Sequence, residues 1–260
     1  MFIVWGRKIT RKCFGYVVDF CPICRTLQTF DLQAVHSSGH VYYVTFGGGP
    51  LLGYERKCAD CGAVYKAEAT AYASIAKQRL PLDELKRQTL PTLSPATQSR
   101  LDLEERIRSG RAQLAPTQRY NLIREPFLLL SPKVEQRFAS THIDVPTGLA
   151  LSGAVVLMFA GGWLDRQFFA DSAGTGLLIA AGIGAALIVW QFVESGSRYM
   201  RREIVPALAK ALDPLRPTPD EIERVLGDLQ QTKQKIGRKL KVNQLLESLS
   251  SSGNRQPLSN

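Results

Sequence analysis

Apolar and polar positions are unevenly spread along this chain, and two stretches stand apart from the rest. Residues 147–164 (TGLALSGAVVLMFAGGWL) and 173–193 (AGTGLLIAAGIGAALIVWQFV) contain no charged side chain. As helices rising about 1.5 Å per residue they would reach about 27 and 32 Å, close to the ~30 Å hydrocarbon layer of a bilayer. The pattern predicts two transmembrane helices. The connection, residues 165–172 (DRQFFADS), is short enough to make them an antiparallel hairpin. Upstream the apolar period shortens: residues 27–35, 40–46 and 51–57 read as β-strands, with a turn at Gly47-Gly48-Gly49-Pro50.

Between strands and hairpin, prolines punctuate short helices. One begins at Leu80-Pro81-Leu82-Asp83, and a second has Ser94 as N-cap and Pro95 at the first position, stopping at Gly110. Residues 117–124 and 131–139 follow as two more, separated by the apolar run Phe127-Leu128-Leu129-Leu130, which is too short to span and is left to pack on the strands or rest on a membrane. After the second span, Met200, Ile204, Leu208 and Leu212 form a stripe with Arg201, Arg202 and Lys210 on other faces. Such a helix is expected to lie on anionic headgroups, with its regularity limited by Pro206. Thr218-Pro219-Asp220-Glu221 then opens a helix carrying Ile222, Val225, Leu226, Leu229, Ile236 and Leu240 on one face and a basic end at Lys233, Lys235, Arg238, Lys239 and Lys241. The expected organisation is a small all-β ribbon over residues 1–67, a helical cytoplasmic segment over 68–145, the transmembrane hairpin within 146–195, juxtamembrane and C-terminal amphipathic helices over 196–247, and a disordered tail over 248–260.

Charge sharpens the membrane reading. Of 33 Lys+Arg in the 260 residues, one lies within residues 146–197, whereas 13 lie in 66–145 and 12 in 198–260. Lys133 and Arg137 precede the first span, and Arg198, Arg201, Arg202 and Lys210 follow the second; the connection holds Arg166 alone. That asymmetry puts both termini in the cytoplasm of a multi-pass inner-membrane protein. Trp163, Trp190 and Tyr199 stand where rings favour headgroups. No secretory signal is expected, because the apolar start is broken at Arg7, Lys8, Arg11 and Lys12. With 45% hydrophobic and 22% charged residues, the composition excludes a polytopic transporter, a disordered chain and a collagen-like one. Gly176, Ala180 and Gly184 make a small-residue stripe suited to close helix packing, with Gly148 and Ser152 as a counterpart. Packing inside the hairpin is preferred over homo-oligomerisation, since the partner helix is already tethered. Neither span holds an ionisable group, which argues against an ion pathway.

The chemistry lies in the cysteines. Cys21-Pro22-Ile23-Cys24 and Cys58-Ala59-Asp60-Cys61 are two CxxC pairs, each able to present two thiolates from a tight turn. Together they make an all-sulfur, four-ligand donor set suited to one structural Zn2+, closed to water. A cytoplasmic location disfavours disulfides. A thioredoxin-like redox pair lacks its βαβ setting, and an iron–sulfur cluster is not excluded by spacing. Cys13 is left over and reads as a small strand residue rather than a redox sensor. His36 and His40 flank Ser37-Ser38-Gly39, read as a turn, and so fail as a ligand pair. No Gly-Lys-Ser/Thr follows Gly47–Gly49, so a phosphate loop is not expected.

The opening, with Phe2, Ile3, Trp5, Gly6, Gly15, Cys21, Pro22 and Cys24, followed by Tyr54, Cys58, Cys61 and Gly62, resembles a bacterial membrane-associated zinc-ribbon family. The resemblance covers about the first quarter of the chain and implies the metal and the ribbon fold; the family's members are mostly of uncharacterised function, so it implies no activity.

Enzyme is the weakest class: three histidines, a closed metal set and no nucleotide loop. The leading expectation is a non-catalytic docking or assembly module for protein partners, anchored in the lipid bilayer. The alternatives are a membrane-tethered nucleic-acid-binding ribbon and a metal or redox sensor. For nucleic acid, Arg7, Lys8, Arg11, Lys12, Arg56 and Lys57 accompany Trp5, Phe14, Tyr42, Tyr43 and Tyr54. Against it, four thiolates around Zn2+ carry a charge of about −2, which removes most of the ribbon's positive excess.

Overall fold

The computed structural model describes residues 5–41, 44–46, 49–139, 145–168 and 175–253. The chain forms two compact units: Met1–Arg119 with Lys210–Arg216, and Tyr120–Ala209 with Pro217–Asn260.

The first unit is built on an antiparallel sheet of β1 (Trp5–Cys21), β2 (Thr26–Val41), β3 (Val44–Phe46), β4 (Leu51–Cys58) and β5 (Val64–Ala67). Its order is β1-β2-β4-β5, with β3 pairing β2 alone. Val17 and Val18 point to opposite faces of β1, yet both are fully buried. The sheet is therefore covered on both sides here. On Val18's side the cover is α1 (Leu82–Thr89), whose Leu85 packs with Val18 and Ala76. β1 is an edge strand, so its outward backbone groups need partners. Ala76 exchanges two hydrogen bonds with Tyr16, and Thr89 Oγ1 accepts from Val18 N–H at 3.0 Å. Gly15, at the bulge that follows Cys13, lets β1 approach Ala76 because it has no side chain: a Cβ there would lie 2.5 Å from Ala76 O. α2 (Pro95–Arg108) has the expected cap: Ser94 Oγ accepts from Thr97 N–H, with Pro95 at the first position.

Residues 37–39 are a continuation of β2, not a turn: Ser37, Ser38 and Gly39 pair with Ile9, Lys8 and Arg7. Ladder bonds to β1 outweigh the local turn preference of Ser-Ser-Gly. The Gly47–Gly48 part of the expected glycine turn lies outside the described residues.

The second unit contains α3 (Pro116–Ala139), most of whose residues belong here, α4 (Val145–Phe168), α5 (Thr175–Tyr199), most of α6 (Val205–Leu212), α7 (Pro219–Gln231), α8 (Lys235–Lys239) and α9 (Val242–Gly253). Four sequence expectations change. The two helices expected around Phe127–Leu130 are one helix, α3, which runs through Pro126 and Pro132. Each proline forfeits a backbone bond, but Leu122, Ile123, Phe127, Leu130 and Val134 bury one continuous face that holds the helix together. The Met200–Leu212 stripe does not face lipid: Met200, Ile204, Leu208 and Leu212 are all at most 2% exposed within the protein. Pro206 is preceded by a π-turn, Met200–Ile204, which absorbs its missing N–H. The final amphipathic stretch breaks after Gln231 at Lys233, whose φ is 60°, and resumes as α8 and α9. α9 includes residues 248–253, part of the stretch expected to be disordered, because buried Leu245 anchors the helix that carries them; residues 254–260 lie outside the described residues. The capping box at Thr218 and Glu221 is present in full.

Among the described residues, one helical run, Leu178–Leu215, is long and apolar enough to cross a membrane by length and composition; the apolar part of α4, Thr147–Trp163, is shorter. α4 extends through Asp165 to Phe168, and the remainder of the expected connection lies outside the described residues. The two helices pack closely: Gly161 lies against Gly176 and Ala180, and Gly184 against Ala154. The small-residue stripe is thus filled by α4. Outward, Phe159, Trp163, Leu178, Trp190 and Val193 are each at least 60% exposed.

Candidate metal centre

Both CxxC turns sit at strand ends. Cys21 closes β1 and the turn Pro22–Arg25 leads into β2; Cys58 closes β4 and the second turn leads into β5. β2 brings them together, because Thr26 pairs with Cys21 at its start and Phe30 with Cys58 four residues on. Ala59 N–H donates to Thr29 O at 2.9 Å and fixes the second turn to the same strand.

The ligand atoms of Cys21, Cys24, Cys58 and Cys61 all lie within 4.8 Å of one another. Between turns, Cys21 Sγ is 3.5 Å from Cys61 Sγ and Cys24 Sγ is 3.9 Å from Cys58 Sγ. A regular tetrahedron with Zn–S bonds of about 2.3 Å has edges of about 3.8 Å. The donor set therefore fits a metal ion of that size, and these four cysteines could hold one. Cys21 and Cys58 are buried, while Cys24 and Cys61 are partly exposed.

Left to themselves, four thiols this close share protons. Hydrogen bonds among the sulfurs, above all Cys24 acting on Cys21 and Cys21 acting on Cys58, pull Cys21 and Cys58 below the ordinary thiol range; the contact with Cys21 likewise contributes most to pushing Cys24 and Cys61 above it. A bound divalent cation would supply the charge that lets all four stand as thiolates. Around them, Cys24 N–H donates to Cys21 Sγ at 3.4 Å and the Tyr65 hydroxyl lies 3.8 Å from the same sulfur. Burial first, and the Cys21 charge second, push the Tyr65 hydroxyl above its usual range. Tyr65 is in turn held by Arg56, whose guanidinium stacks over Tyr65 and Phe30 while pairing with Asp19. Tyr72 donates to Asp19 Oδ2 at 2.9 Å and completes the cluster.

The residue after each pair turns left-handed. Arg25 has φ 57° and Gly62 φ 69°, and each N–H returns to the carbonyl of the first cysteine of its pair, at 2.6 and 3.0 Å. Glycine takes this conformation freely, whereas an L side chain costs about 1 kcal/mol or more. Arg25 accepts that cost for the use of its side chain, which is 2% exposed. Nε donates to Glu104 Oε2 at 2.5 Å and Nη1 to the Ala211 carbonyl at 3.0 Å. Glu104 also accepts from Arg100 at 2.9 Å. In the other turn, Asp60 Oδ2 accepts from Lys210 Nζ at 2.5 Å and lies 3.3 Å from Cys24 Sγ. Burial lowers the Lys210 ammonium, but the bond to Asp60 and the charges of Cys24, Asp60 and Cys61 outweigh it and raise it.

The four sequence-selected cysteines are thus brought together. Cys13 is exposed on β1, paired across to Gln33 and separate from the cluster. His36 Nδ1 is 3.0 Å from Gly49 O, and the His40 side chain lies outside the described residues. Arg25, Asp60, Tyr65 and Lys210 were missed. Aligning the two turns, CPICR against CADCG, offered a signal for the first: an arginine where the other turn has glycine. Comparison with known protein families, curated proteins and solved structures yields no match for this chain.

Proposed function

We propose that this protein is a membrane-anchored zinc ribbon: a non-catalytic docking or assembly module that presents its metal-stabilised sheet to protein partners at the cytoplasmic membrane face. The tetrahedral sulfur spacing and the closed, all-cysteine donor set, which leaves no position for a reacting water, support zinc. The anchor is a two-helix hairpin of α4 and α5, whose outward apolar side chains meet lipid.

The observation that carries the membrane topology is the make-up of the first unit. It contains residues from before α4 and from after α5, Met1–Arg119 and Lys210–Arg216. Two segments that fold into one unit stand on one side of a membrane, so the chain between them crosses an even number of times. If α5 crosses, α4 crosses as well, and both flanks are cytoplasmic by their excess of Lys and Arg. Nucleic-acid binding ranks below protein docking, because Arg11 and Arg56 of the basic set are paired with Glu55 and Asp19.

Metal analysis of the purified chain is expected to give about one zinc per chain, lost in Cys21→Ser with Cys58→Ser. Zinc retained by that double variant refutes the site. Crosslinking from native membranes is expected to capture protein partners that the double variant no longer captures. Recovery of nucleic acid instead, with a steep salt dependence, would displace the docking reading.

A further inference from the structure

We infer that the metal centre governs the docking of Lys210–Arg216, the segment at the C-terminal end of the long apolar helical run: a loaded four-cysteine site clasps it, and an emptied one releases it. This deepens the metal reading above and rests on it.

Two consecutive residues carry the inference. Lys210 Nζ holds Asp60, which lies between Cys58 and Cys61 in the second turn. The Ala211 carbonyl accepts from Arg25, which directly follows Cys24 in the first. The segment therefore grips both turns at once, and it can do so only while they keep one separation. That separation is the 3.5 and 3.9 Å between sulfurs of opposite turns, the spacing a shared tetrahedral ion would hold by bonding to both turns at once.

Arg25 is the more consequential of the two grips. Its guanidinium and the Glu104 carboxylate are 2% and 3% exposed, so the pair has value only while both stay engaged. Its backbone carbonyl also accepts from Arg108 Nη2 at 3.3 Å. The left-handed turn at Arg25 aims the side chain inward. If the turn opens, the side chain leaves Glu104 and Ala211, and the segment loses its anchor. Asp60 moves with its own turn and takes the Lys210 contact away.

Hydrogen exchange on the full chain in detergent micelles tests this, comparing the zinc-loaded protein with the chelated protein under reducing conditions. Amides of residues 210–216, including Arg216 N–H bonded to Leu212 O, are expected to exchange at least about tenfold faster after chelation, while α7, capped by its own capping box, stays unchanged. Equal exchange of 210–216 in the two states overturns the inference. Arg25→Gly keeps a residue suited to the left-handed turn while removing the anchor. It is expected to bind cobalt(II) with the same thiolate charge-transfer band as the parent, yet to exchange 210–216 in the loaded state as fast as the stripped parent. Lys210→Met, at an exposed position, should shift exchange in the same direction by less, without disturbing the buried pair. Parent-like protection in both loaded variants also overturns the inference. Absence of a cobalt–thiolate band in the parent would instead remove the metal reading itself, whereas a normal band with unresponsive 210–216 amides removes the clasp alone.

Discussion

Gly15 and Gly62 separate two ways in which a single missing methyl group shapes the first unit. Gly62 turns left-handed in open space, so Gly62→Ala meets only backbone strain and is expected to cost about 1 kcal/mol in denaturation of the metal-loaded chain. At Gly15 an added Cβ would strike Ile75 Cγ2 at 2.4 Å and Ala76 O at 2.5 Å. Gly15→Ala is expected to cost more than Gly62→Ala and to speed exchange of the Tyr16 and Ala76 amides; an effect no larger than that of Gly62→Ala would contradict the packing described. Tyr72 gives a pH dependence. Burial, then the Asp19 carboxylate, push its hydroxyl up to about 12 from 10.0, so the folded state favours the protonated phenol. That stabilisation is complete below pH 10 and disappears as pH rises through 12. Across that interval the parent is expected to lose on the order of 2 kcal/mol more than Tyr72→Phe, measured by denaturant midpoints at each pH. Residue-scale chemistry was partly legible in the sequence. The four sulfurs announce themselves by spacing, whereas Arg25, Asp60 and Lys210 acquire roles only through contacts up to 186 positions apart.

Elements were legible where their signals are local. Ser94-Pro95 and Thr218-Pro219-Asp220-Glu221 mark α2 and α7 correctly, because a cap is satisfied within four residues. They misled where packing outweighs propensity: two prolines lie inside α3, and Ser-Ser-Gly lies inside β2. The Met200–Leu212 stripe was visible as a pattern, but a pattern does not say whether lipid or protein will cover it. The α4–α5 contact supplies a test at this scale. A side chain at Gly161 would meet Ala180 Cβ at 2.7 Å and Gly176 O at 2.9 Å, whereas Gly182 faces open space. Gly161→Leu is expected to destabilise the helix pair by about 1–3 kcal/mol in detergent, and Gly182→Leu to leave it near the parent value. Equal effects at the two positions would mean that the pair does not pack through this stripe.

For the whole molecule, the sequence suggested a ribbon ending near residue 67, but the compact unit around the metal centre takes in α1, α2 and a distant piece, Lys210–Arg216. Sequence order hides such a piece, since nothing in KALDPLR says what it will touch. A chain stopped after Ala209 is expected to make the first unit more susceptible to limited proteolysis at α2, because Arg25 loses its Ala211 acceptor and Asp60 loses Lys210. Unchanged cleavage would show that the piece is dispensable. The interleaving also imposes an order on biosynthesis. At about 5–20 residues per second, a ribosome needs on the order of 5–20 seconds to go from Arg119 to Arg216, and both apolar helices emerge in that interval. The first unit must therefore wait, without Lys210–Arg216, until both helices have left the ribosome, so synthesis of the helix pair becomes a checkpoint that the unit passes before it can finish folding.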